Sequence, residues 1–200
     1  MKDRPILFSA PMVRALLDGS KTQTRRVAKL TDAAHVKEPR GHRRWHPGDP
    51  AASLASPYGQ PGDRLWVRET WAGPLYDPEL PFQPTDYKSP KYCVYAADGG
   101  PRPEFIDQDD NLCCRWTPAI HMFRWASRIT LEITRVRIER LHAINEVDAI
   151  AEGAAWAACG SPQEGSHKAG YAKLWESING RDTWEFNPWV WVIEFNRVTP

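Results

Sequence analysis

The sequence predicts an α+β fold, a compact barrel of short strands with two or three small helices between them. The strand-like segments are short, rich in Val, Ile, Thr and aromatic residues, and separated by turn residues. The helix-like segments are equally short. The chain has 200 residues, 42% of them hydrophobic and 26% charged. This size and composition indicate one globular domain covering residues 1–200.

The first predicted elements are a strand, a helix and a second strand. The first strand covers residues 5–8. Ser9 can cap a helix over residues 10–18, and Gly19 follows its end. A Thr-rich strand over residues 22–27 then leads away from the corner.

The middle of the chain is less regular. Residues 28–62 are predicted as a loop, and the Pro-Gly-Asp turn at 61–63 leads into a strand over residues 64–71. The Pro-rich, acidic stretch of residues 72–118 contains one strand signal, over residues 92–96. We interpret this stretch as a loop-rich insertion into the domain.

The C-terminal part carries the longest strand signal, over residues 127–141. Its apolar residues change phase near Thr134, which predicts a bulge or a break in the strand. A helix capped by Asn145 follows, and a second helix covers residues 171–178. The nearly continuous apolar run of residues 188–195 predicts a strand buried on both faces.

Several protein classes are excluded by composition and patterning. The chain lacks an apolar run near the ~18 residues that a membrane span needs, and its first residues lack the apolar core of a signal peptide. The four cysteines, Cys93, Cys113, Cys114 and Cys159, form no CxxC pair, so we expect reduced thiols. These features predict a cytoplasmic protein that does not enter membranes.

The formal net charge of +1 gives no bulk attraction to nucleic acid. The charges are uneven, however, because residues 21–44 hold eight Lys or Arg against two acids, whereas residues 77–110 are acidic. A local basic face can bind phosphates on a nearly neutral protein. An unstructured basic loop is the alternative interpretation.

The most informative segment is Gly-Ser-Lys-Thr-Gln-Thr-Arg-Arg at residues 19–26. It places an amine, hydroxyls and guanidinium groups at one helix-to-strand corner. Lys21 and Thr24 are a candidate pair for attack on an acyl group. Arg25 and Arg26 are candidates for holding a phosphate or a base edge. A solvated turn after a helix is the structural alternative.

The pattern GxKxxTxR at residues 19–26, the Pro-Gly-Asp turn and the closing apolar strand resemble the ASCH domain family. These are small β-barrels of the PUA-like superfamily, associated with RNA and modified bases. The usual ASCH signature has glutamate where this chain has Thr24. The bacterial ASCH-type N4-acetylcytidine amidohydrolase family is similar to this chain in having a KTxT segment there. Residues 9–26 and 62–71 look most like the ASCH proteins of phages and prophages.

The amidohydrolase resemblance implies three catalytic residues and no cofactor. Two are Lys21 and Thr24. The third is the last glutamate of a Glu-x-x-Ala-x-x-Glu helix, which is Glu152 in this chain. In this interpretation Thr24 is the nucleophile, Lys21 is a base or an oxyanion stabiliser, and Glu152 protonates the leaving amine or activates water. The substrate would be an acylated cytidine.

Glu152 also stands out without the resemblance. It lies in the last turn of its helix, where the helix dipole favours a cation by about 0.3–1 kcal/mol. A residue that violates a local preference is a candidate functional residue. Glu69, at the end of the strand from residue 64, is the rival carboxylate and could pair with Lys21, Arg26 or Arg68.

Two other functions stay open at this stage. One is a non-catalytic reader that binds a nucleoside or single-stranded RNA, with Arg25, Arg26 and Arg68 contacting the ligand and one of the ten tryptophans stacking on a base. The other is a metal-dependent ribonuclease in which Glu69 and Glu152 hold a divalent ion. The histidines and cysteines lack metal-ligand spacing, so no metal site is predicted.

Overall fold

The computed structural model describes residues 1–28, 56–75, 88–106, 112–155, 157–158 and 165–198. Most of the basic run of residues 21–44 therefore lies outside the described residues. The same holds for residues 76–87 and 107–111 of the predicted insertion.

The described elements include three α-helices, and none of these helices is long and apolar enough to cross a membrane. The helices are α1 (Ala10–Leu17), α2 (Glu146–Ala151) and α3 (His167–Asn179). The strands are β1 (Asp3–Leu7), β2 (Gln23–Val27), β3 (Arg64–Arg68), β4 (Trp71–Ala72), β5 (Val94–Tyr95), β6 (Glu104–Ile106), β7 (Leu112–Cys114), β8 (Thr130–Arg140), β9 (Ala157–Ala158), β10 (Gly165–Ser166) and β11 (Trp189–Val198).

Five strands form the main sheet in the order β1-β3-β8-β11-β2. β1 and β3 are parallel, and every other neighbouring pair in this sheet is antiparallel. The predicted α+β class is confirmed. Among the described residues, no backbone pairing joins the edge strands β1 and β2 into a closed barrel.

The two edge strands nevertheless approach each other. Arg26 on β2 donates a hydrogen bond from Nη2 to the Leu7 carbonyl of β1 at 2.6 Å. Its guanidinium also lies 5.1 Å from the centre of the Phe8 ring. The Arg26 side chain therefore links the two edge strands of the sheet.

Strand β11 is buried on both faces, as its apolar run predicts. Val190 and Val192 pack in a cluster with Tyr171 and Trp175 of α3. Trp191, together with Ile193 and Phe195, belongs to the larger core on the other face, which also contains Val13 and Leu16 of α1. Successive side chains of a strand point to opposite faces, so β11 supplies both cores.

The predicted irregularity at Thr134 is confirmed as a bulge. Glu194 of β11 pairs with Arg135 of β8, whereas Phe195 pairs with Ile133, so Thr134 is the extra residue. The residues before and after the bulge, Ile129, Leu131, Ile133, Val136 and Ile138, all lie in the larger core. Because the bulge adds one residue to β8, the apolar side chains before and after it face the same core.

Other boundaries differ from the sequence prediction. The strand expected over residues 64–71 ends at Arg68, and Trp71 instead pairs with Tyr95 in a separate two-stranded sheet. The strand expected over residues 92–96 covers only Val94–Tyr95. Trp71 lies outside the main sheet and packs in a separate hydrophobic cluster with Tyr95 and Met122.

Ser9 stands at the N-cap position of α1 as predicted, but its side chain makes no capping hydrogen bond. The Asn145 side chain accepts a hydrogen bond from the Asp148 backbone N–H at 2.8 Å, which confirms this cap. Helix α3 starts earlier than predicted, at His167. Ser166 caps it by accepting a hydrogen bond from the Ala169 N–H at 3.0 Å.

Candidate functional site

A cavity of about 230 Å³ lies at the free edge of β2. Its wall combines four consecutive β2 residues, one face of α3 and single residues from other segments. The lining residues are Met12, Thr24, Arg25, Arg26, Val27, Tyr58, Glu152, Tyr171, Leu174, Trp175, Ile178 and Asn179.

Backbone hydrogen bonds join the corner between α1 and β2 to the end of α2. The Thr22 N–H donates to the Ala151 carbonyl at 2.8 Å, and Lys21 forms an antiparallel bridge with Glu152. Gly153 ends α2 with a φ of +73°, and a Cβ there would stand 3.0 Å from the Ala15 Cβ. This close approach requires glycine, and it brings the corner against Glu152.

Lys21 and Glu152 form a buried ion pair. The Lys21 Nζ lies 2.8 Å from Glu152 Oε2 and 2.8 Å from the Glu152 carbonyl oxygen. Each residue is only 2% exposed. Burial lowers the pKa of Lys21, and the charge of Glu152 offsets part of this effect. The pair also explains a glutamate at a helix C-terminus, because cations compensate the helix dipole there.

Arg25 holds the other oxygen of the same carboxylate. Its Nη1 donates to Glu152 Oε1 at 3.1 Å, and its Nη2 donates to Glu139 at 2.6 Å and to Asp148 at 2.9 Å. Burial opposes the charge of Arg25, but the carboxylates of Glu152 and Glu139 outweigh it and raise the arginine pKa. Arg25 was expected to contact a phosphate or base. Its terminal nitrogens are instead occupied by three carboxylates.

The ion-pair network extends along β8. Arg137 pairs with Glu139, Asp148 and Glu194. Burial raises the pKa of Asp148, but the hydrogen bond from Gln23 and the charges of Arg25 and Arg137 outweigh it, so the pKa is lowered. The charged members of the network among the described residues are Lys21, Arg25, Arg135, Arg137, Glu139, Asp148, Glu152 and Glu194.

Of the three residues expected to be catalytic, Thr24 and Glu152 line the cavity. Thr24 is 1% exposed and pairs with Ile193 on the face of the larger core. Lys21 is not among the described residues that line the cavity. The structure places its amine against the Glu152 carboxylate, which does line the cavity.

The two other predicted ligand-binding arginines, Arg26 and Arg68, lie in different parts of the structure. Arg26 lines the cavity. Arg68 does not belong to the described lining; its Nε donates to the Met122 carbonyl at 3.1 Å, and its guanidinium lies 4.9 Å from the Trp66 ring centre.

Glu69 has a different partner from those expected. Arg128 binds both of its carboxylate oxygens, at 3.0 and 3.1 Å. Burial raises the pKa of Glu69 despite this arginine. The expected pairing of Glu69 with Lys21, Arg26 or Arg68 is therefore wrong, because Arg128 of the segment before β8 occupies its carboxylate.

Glu69 and Glu152 do not share a site, since their oxygens bind separate cations. Within the described ranges, no group of three or more His, Cys, Asp or Glu side chains could hold a metal ion. The geometry thus gives no support to a metal-dependent ribonuclease built on these two glutamates.

Aromatic side chains of the cavity were not identified from the sequence. Tyr171 and Trp175 lie one helical turn apart on α3, and Tyr58 comes from the segment before β3. Burial raises the pKa of Tyr171 well above its ordinary value, and the charge of Glu152 adds to this shift. The i, i+4 spacing of Tyr171 and Trp175 was a usable signal for one shared face.

The candidate site thus consists of a small cavity, Thr24 and Glu152 in its wall, and an ion-pair network whose buried members, Lys21 and Arg25, hold Glu152. Comparison of the chain with protein-family models, with curated proteins and with solved structures found no match.

Proposed function

We propose that this chain is an ASCH-type protein with a PUA-like barrel that hydrolyses the amide of an acylated cytidine, such as N4-acetylcytidine. The main observation in support of this proposal is that Thr24 and Glu152 line one cavity, while Lys21 and Arg25 each bind one oxygen of the Glu152 carboxylate. The Arg26 link between the edge strands supports a barrel-like sheet. The free thiols of Cys93 and Cys114 suit a cytoplasmic location.

The proposed reaction has two halves. The Thr24 hydroxyl attacks the acetyl carbon, and its proton passes to the Glu152 carboxylate. The proton then moves to N4 as the carbon–nitrogen bond breaks, and cytidine leaves. In the second half Glu152 takes a proton from water, which attacks the acetyl-threonine. Glu152 returns this proton to the Thr24 oxygen as the ester bond breaks, so acetic acid leaves and both the Thr24 hydroxyl and the Glu152 carboxylate are restored.

Lys21 acts in this proposal as a positioning residue. Its amine donates to the carboxylate and to the carbonyl of Glu152, so it fixes both the side chain and the end of α2. Arg25 fixes the second carboxylate oxygen. A carboxylate held at both oxygens keeps one orientation, which proton transfer in a defined geometry requires.

The size of the cavity supports a small ligand. Its volume is about 230 Å³, below the roughly 300–1,000 Å³ of pockets that enclose drug-sized molecules. A base or a nucleoside suits this volume better than a long segment of nucleic acid. Only a single extruded nucleotide of an RNA would enter it.

We expect Thr24→Ala to abolish release of cytidine from N4-acetylcytidine and to leave binding nearly unchanged, because it removes only the nucleophile. Thr24→Ser should retain part of the activity. Chromatography of the products measures turnover, and titration calorimetry measures binding. Thr22→Ala is the matched control, since Thr22 is exposed, lies two residues earlier and does not line the cavity.

Full activity in Thr24→Ala would mean direct attack by water on the amide and would remove the covalent step. Absence of cytidine release by the wild-type protein would reject the hydrolase.

A non-catalytic reader of RNA or modified bases is the second candidate. The observation that favours it is the aromatic wall of Tyr58, Tyr171 and Trp175, together with the cation Arg26. Aromatic side chains stack on extruded bases, and arginines contact the backbone in single-stranded recognition.

For a reader, we expect the affinity for a short single-stranded RNA to fall as salt rises, by about 0.7 log units per log unit of salt for each phosphate contact. Arg26→Gln should make the salt dependence less steep by the contribution of about one phosphate contact. Arg135→Gln is the control, because this side chain is 67% exposed and does not line the cavity. Filter binding at several salt concentrations measures the slope. A salt-independent affinity would point to a free nucleoside instead.

A further inference from the structure

Exposed aromatic side chains form a second surface on the segment that precedes β8. Phe123 is 59% exposed, and its ring stacks on Trp125 with centres 6.0 Å apart and planes 12° from parallel. Trp71 contacts both rings edge-on, at 6.3 and 5.6 Å. Because Trp71 is itself buried, it fixes the orientation of this exposed stack. We call Phe123 and Trp125 the aromatic platform; neither belongs to the described lining of the cavity.

The charges beside the aromatic platform are positive. Residues 112–131 contain three arginines and no Asp or Glu. The guanidinium groups of Arg68 and Arg124 lie 4.9 and 5.9 Å from the centre of the Trp66 ring. Arg68 also donates from Nε, at 3.1 Å, to the carbonyl of Met122, which directly precedes the platform. Two cations therefore lie on one indole ring next to the exposed stack.

The nearest carboxylates do not neutralise both of these cations. Asp3 pairs with Arg124 at 2.7 Å, but the side chains are 43% and 48% exposed, and exposed ion pairs are weak. A phosphate can therefore replace Asp3 at little cost. Glu69 follows Arg68 in the chain, but Arg128 binds both of its oxygens. Within the described ranges, Arg68 pairs with no carboxylate.

A series of contacts connects the cavity to this surface. Arg26, which lines the cavity, donates to the Leu7 carbonyl at 2.6 Å. Leu7 pairs in register with Arg68 across β1 and β3, and the Phe8 N–H donates to the Arg68 carbonyl at 3.1 Å. One exposed β1 residue, Leu7, thus separates the arginine of the cavity wall from the arginine beside the platform.

The side chains that follow this path lie on one side of the main sheet. Val67 of β3 and Ile6 of β1 belong to the larger core, so their neighbours Trp66, Arg68 and Leu7 project to the opposite side. Helix α3, which forms part of the cavity wall, also packs on the side of β11 away from the larger core. Part of the cavity wall and the two β3 side chains therefore face the same side.

We infer that a single-stranded nucleic acid binds across this surface, with one nucleotide in the cavity, phosphates against Arg26 and Arg68, and an unpaired base stacked on Phe123. The inference rests on the proposed function, because it takes the cavity as a nucleotide site, and it extends the substrate from a free nucleoside to a modified nucleotide within a strand. The cavity of about 230 Å³ has no room for neighbouring nucleotides. Phosphates and unpaired bases are what arginines and exposed aromatic rings bind in single strands.

A second copy of this chain fits the same surface less well. A two-fold contact places the same patch of both copies face to face. The arginines beside the platform would then approach each other, and like charges repel more strongly as water is excluded. A strand of phosphates instead compensates these charges.

The test compares two ligands, a short fluorescein-labelled single-stranded RNA that carries one N4-acetylcytidine and the free nucleoside. Fluorescence anisotropy measures RNA binding, and calorimetry measures nucleoside binding. We expect Phe123→Ala to weaken RNA binding by about five- to 150-fold, the value of one stacked base. The affinity for the free nucleoside should not change, because the nucleoside reaches only the cavity. Phe123→Tyr keeps an aromatic ring and should retain the RNA affinity.

Arg68→Gln should make the salt dependence of RNA binding less steep by about 0.7 log units per log unit of salt. Phe186→Ala is the matched control for Phe123→Ala, because Phe186 is 76% exposed and lies outside both the platform and the described cavity lining. It should leave the RNA affinity unchanged. A DNA strand of the same sequence separates the two sources of such a ligand. Weaker binding of DNA would assign the surface to RNA, and equal binding would assign it to any single strand; both support the inference.

Unchanged RNA affinity in Phe123→Ala would overturn the inference, as would failure of the wild-type protein to bind the RNA. If Phe123→Ala does not fold, an unchanged salt dependence in Arg68→Gln would overturn it. Sedimentation velocity tests the second copy: a wild-type dimer that Phe123→Ala dissociates, without RNA binding, would assign the rings to self-association and reject the inference.

Cytidine release from the free nucleoside separates this inference from the hydrolase. RNA binding that depends on Phe123, without any release of cytidine, rejects the hydrolase and supports the nucleic-acid surface. Release of cytidine together with an RNA affinity that is insensitive to Phe123→Ala rejects the inference and leaves the hydrolase standing.

Discussion

Lys21→Met should lower the free energy of unfolding by about 3–5 kcal/mol at neutral pH, the usual cost of removing one partner of a buried ion pair. The variant keeps an apolar chain of similar length but leaves Glu152 Oε2 and the Glu152 carbonyl without their donor. Both residues are only 2% exposed, so water cannot replace the lost amine without opening the site. Urea unfolding followed by tryptophan fluorescence measures the change.

Two further variants sharpen this stability test. Lys2→Met makes the same chemical change at an exposed lysine and should have little effect. Lys21→Met combined with Glu152→Leu removes the charges of both partners, and Arg25 keeps Glu139 and Asp148 as carboxylate partners, so the double variant should be less destabilised than Lys21→Met alone. A loss below about 1 kcal/mol in Lys21→Met would equal that of an exposed pair and would contradict the burial of this ion pair.

Glu152→Gln is expected to reduce cytidine release from N4-acetylcytidine at least about a hundredfold, since it keeps the shape of the side chain and removes the proton-transfer group. Initial rates are compared on protein shown to be folded by its thermal transition. The effect should appear in kcat more than in KM, because the carboxylate is used in the transition state.

Glu139→Gln is the matched control for this experiment. Glu139 also accepts a hydrogen bond from Arg25 but does not belong to the described lining of the cavity. Its substitution perturbs the same ion-pair network without touching a bound nucleoside. Comparable losses in the two variants would assign the effect to the network, and the role of Glu152 in proton transfer would then be rejected.

Local features of the fold could be read from the sequence with good accuracy. The bulge at Thr134 was visible in the phase of the apolar residues around it, and the burial of β11 was visible in its unbroken apolar run. The cap of α2 followed from Asn145. Each of these features depends on residues that are close together in the sequence, so the local pattern was sufficient to predict it.

The candidate site was only partly predictable. The spacing in residues 19–26 drew attention to Lys21 and Thr24, and the position of Glu152 against its helix dipole was a second signal. Which of them line the cavity was not visible. The sequence also did not reveal that Arg25 binds three carboxylates, the nearest of them 114 residues away along the chain.

The sequence by itself determined the α+β class, the main strands and helices, and the bulge. It also identified the segment before β2 that carries the reactive side chains. Periodicity and capping made this possible, because both act between residues that are close in the sequence. The tertiary structure decided that Arg128 rather than Lys21 pairs with Glu69, that Lys21 lies against Glu152, and that Trp175 enters the cavity wall. Ion-pair partners and cavity walls depend on which distant elements the sheet order places side by side. Several cations could pair with one carboxylate equally well, so the sequence without the sheet order does not identify the partner.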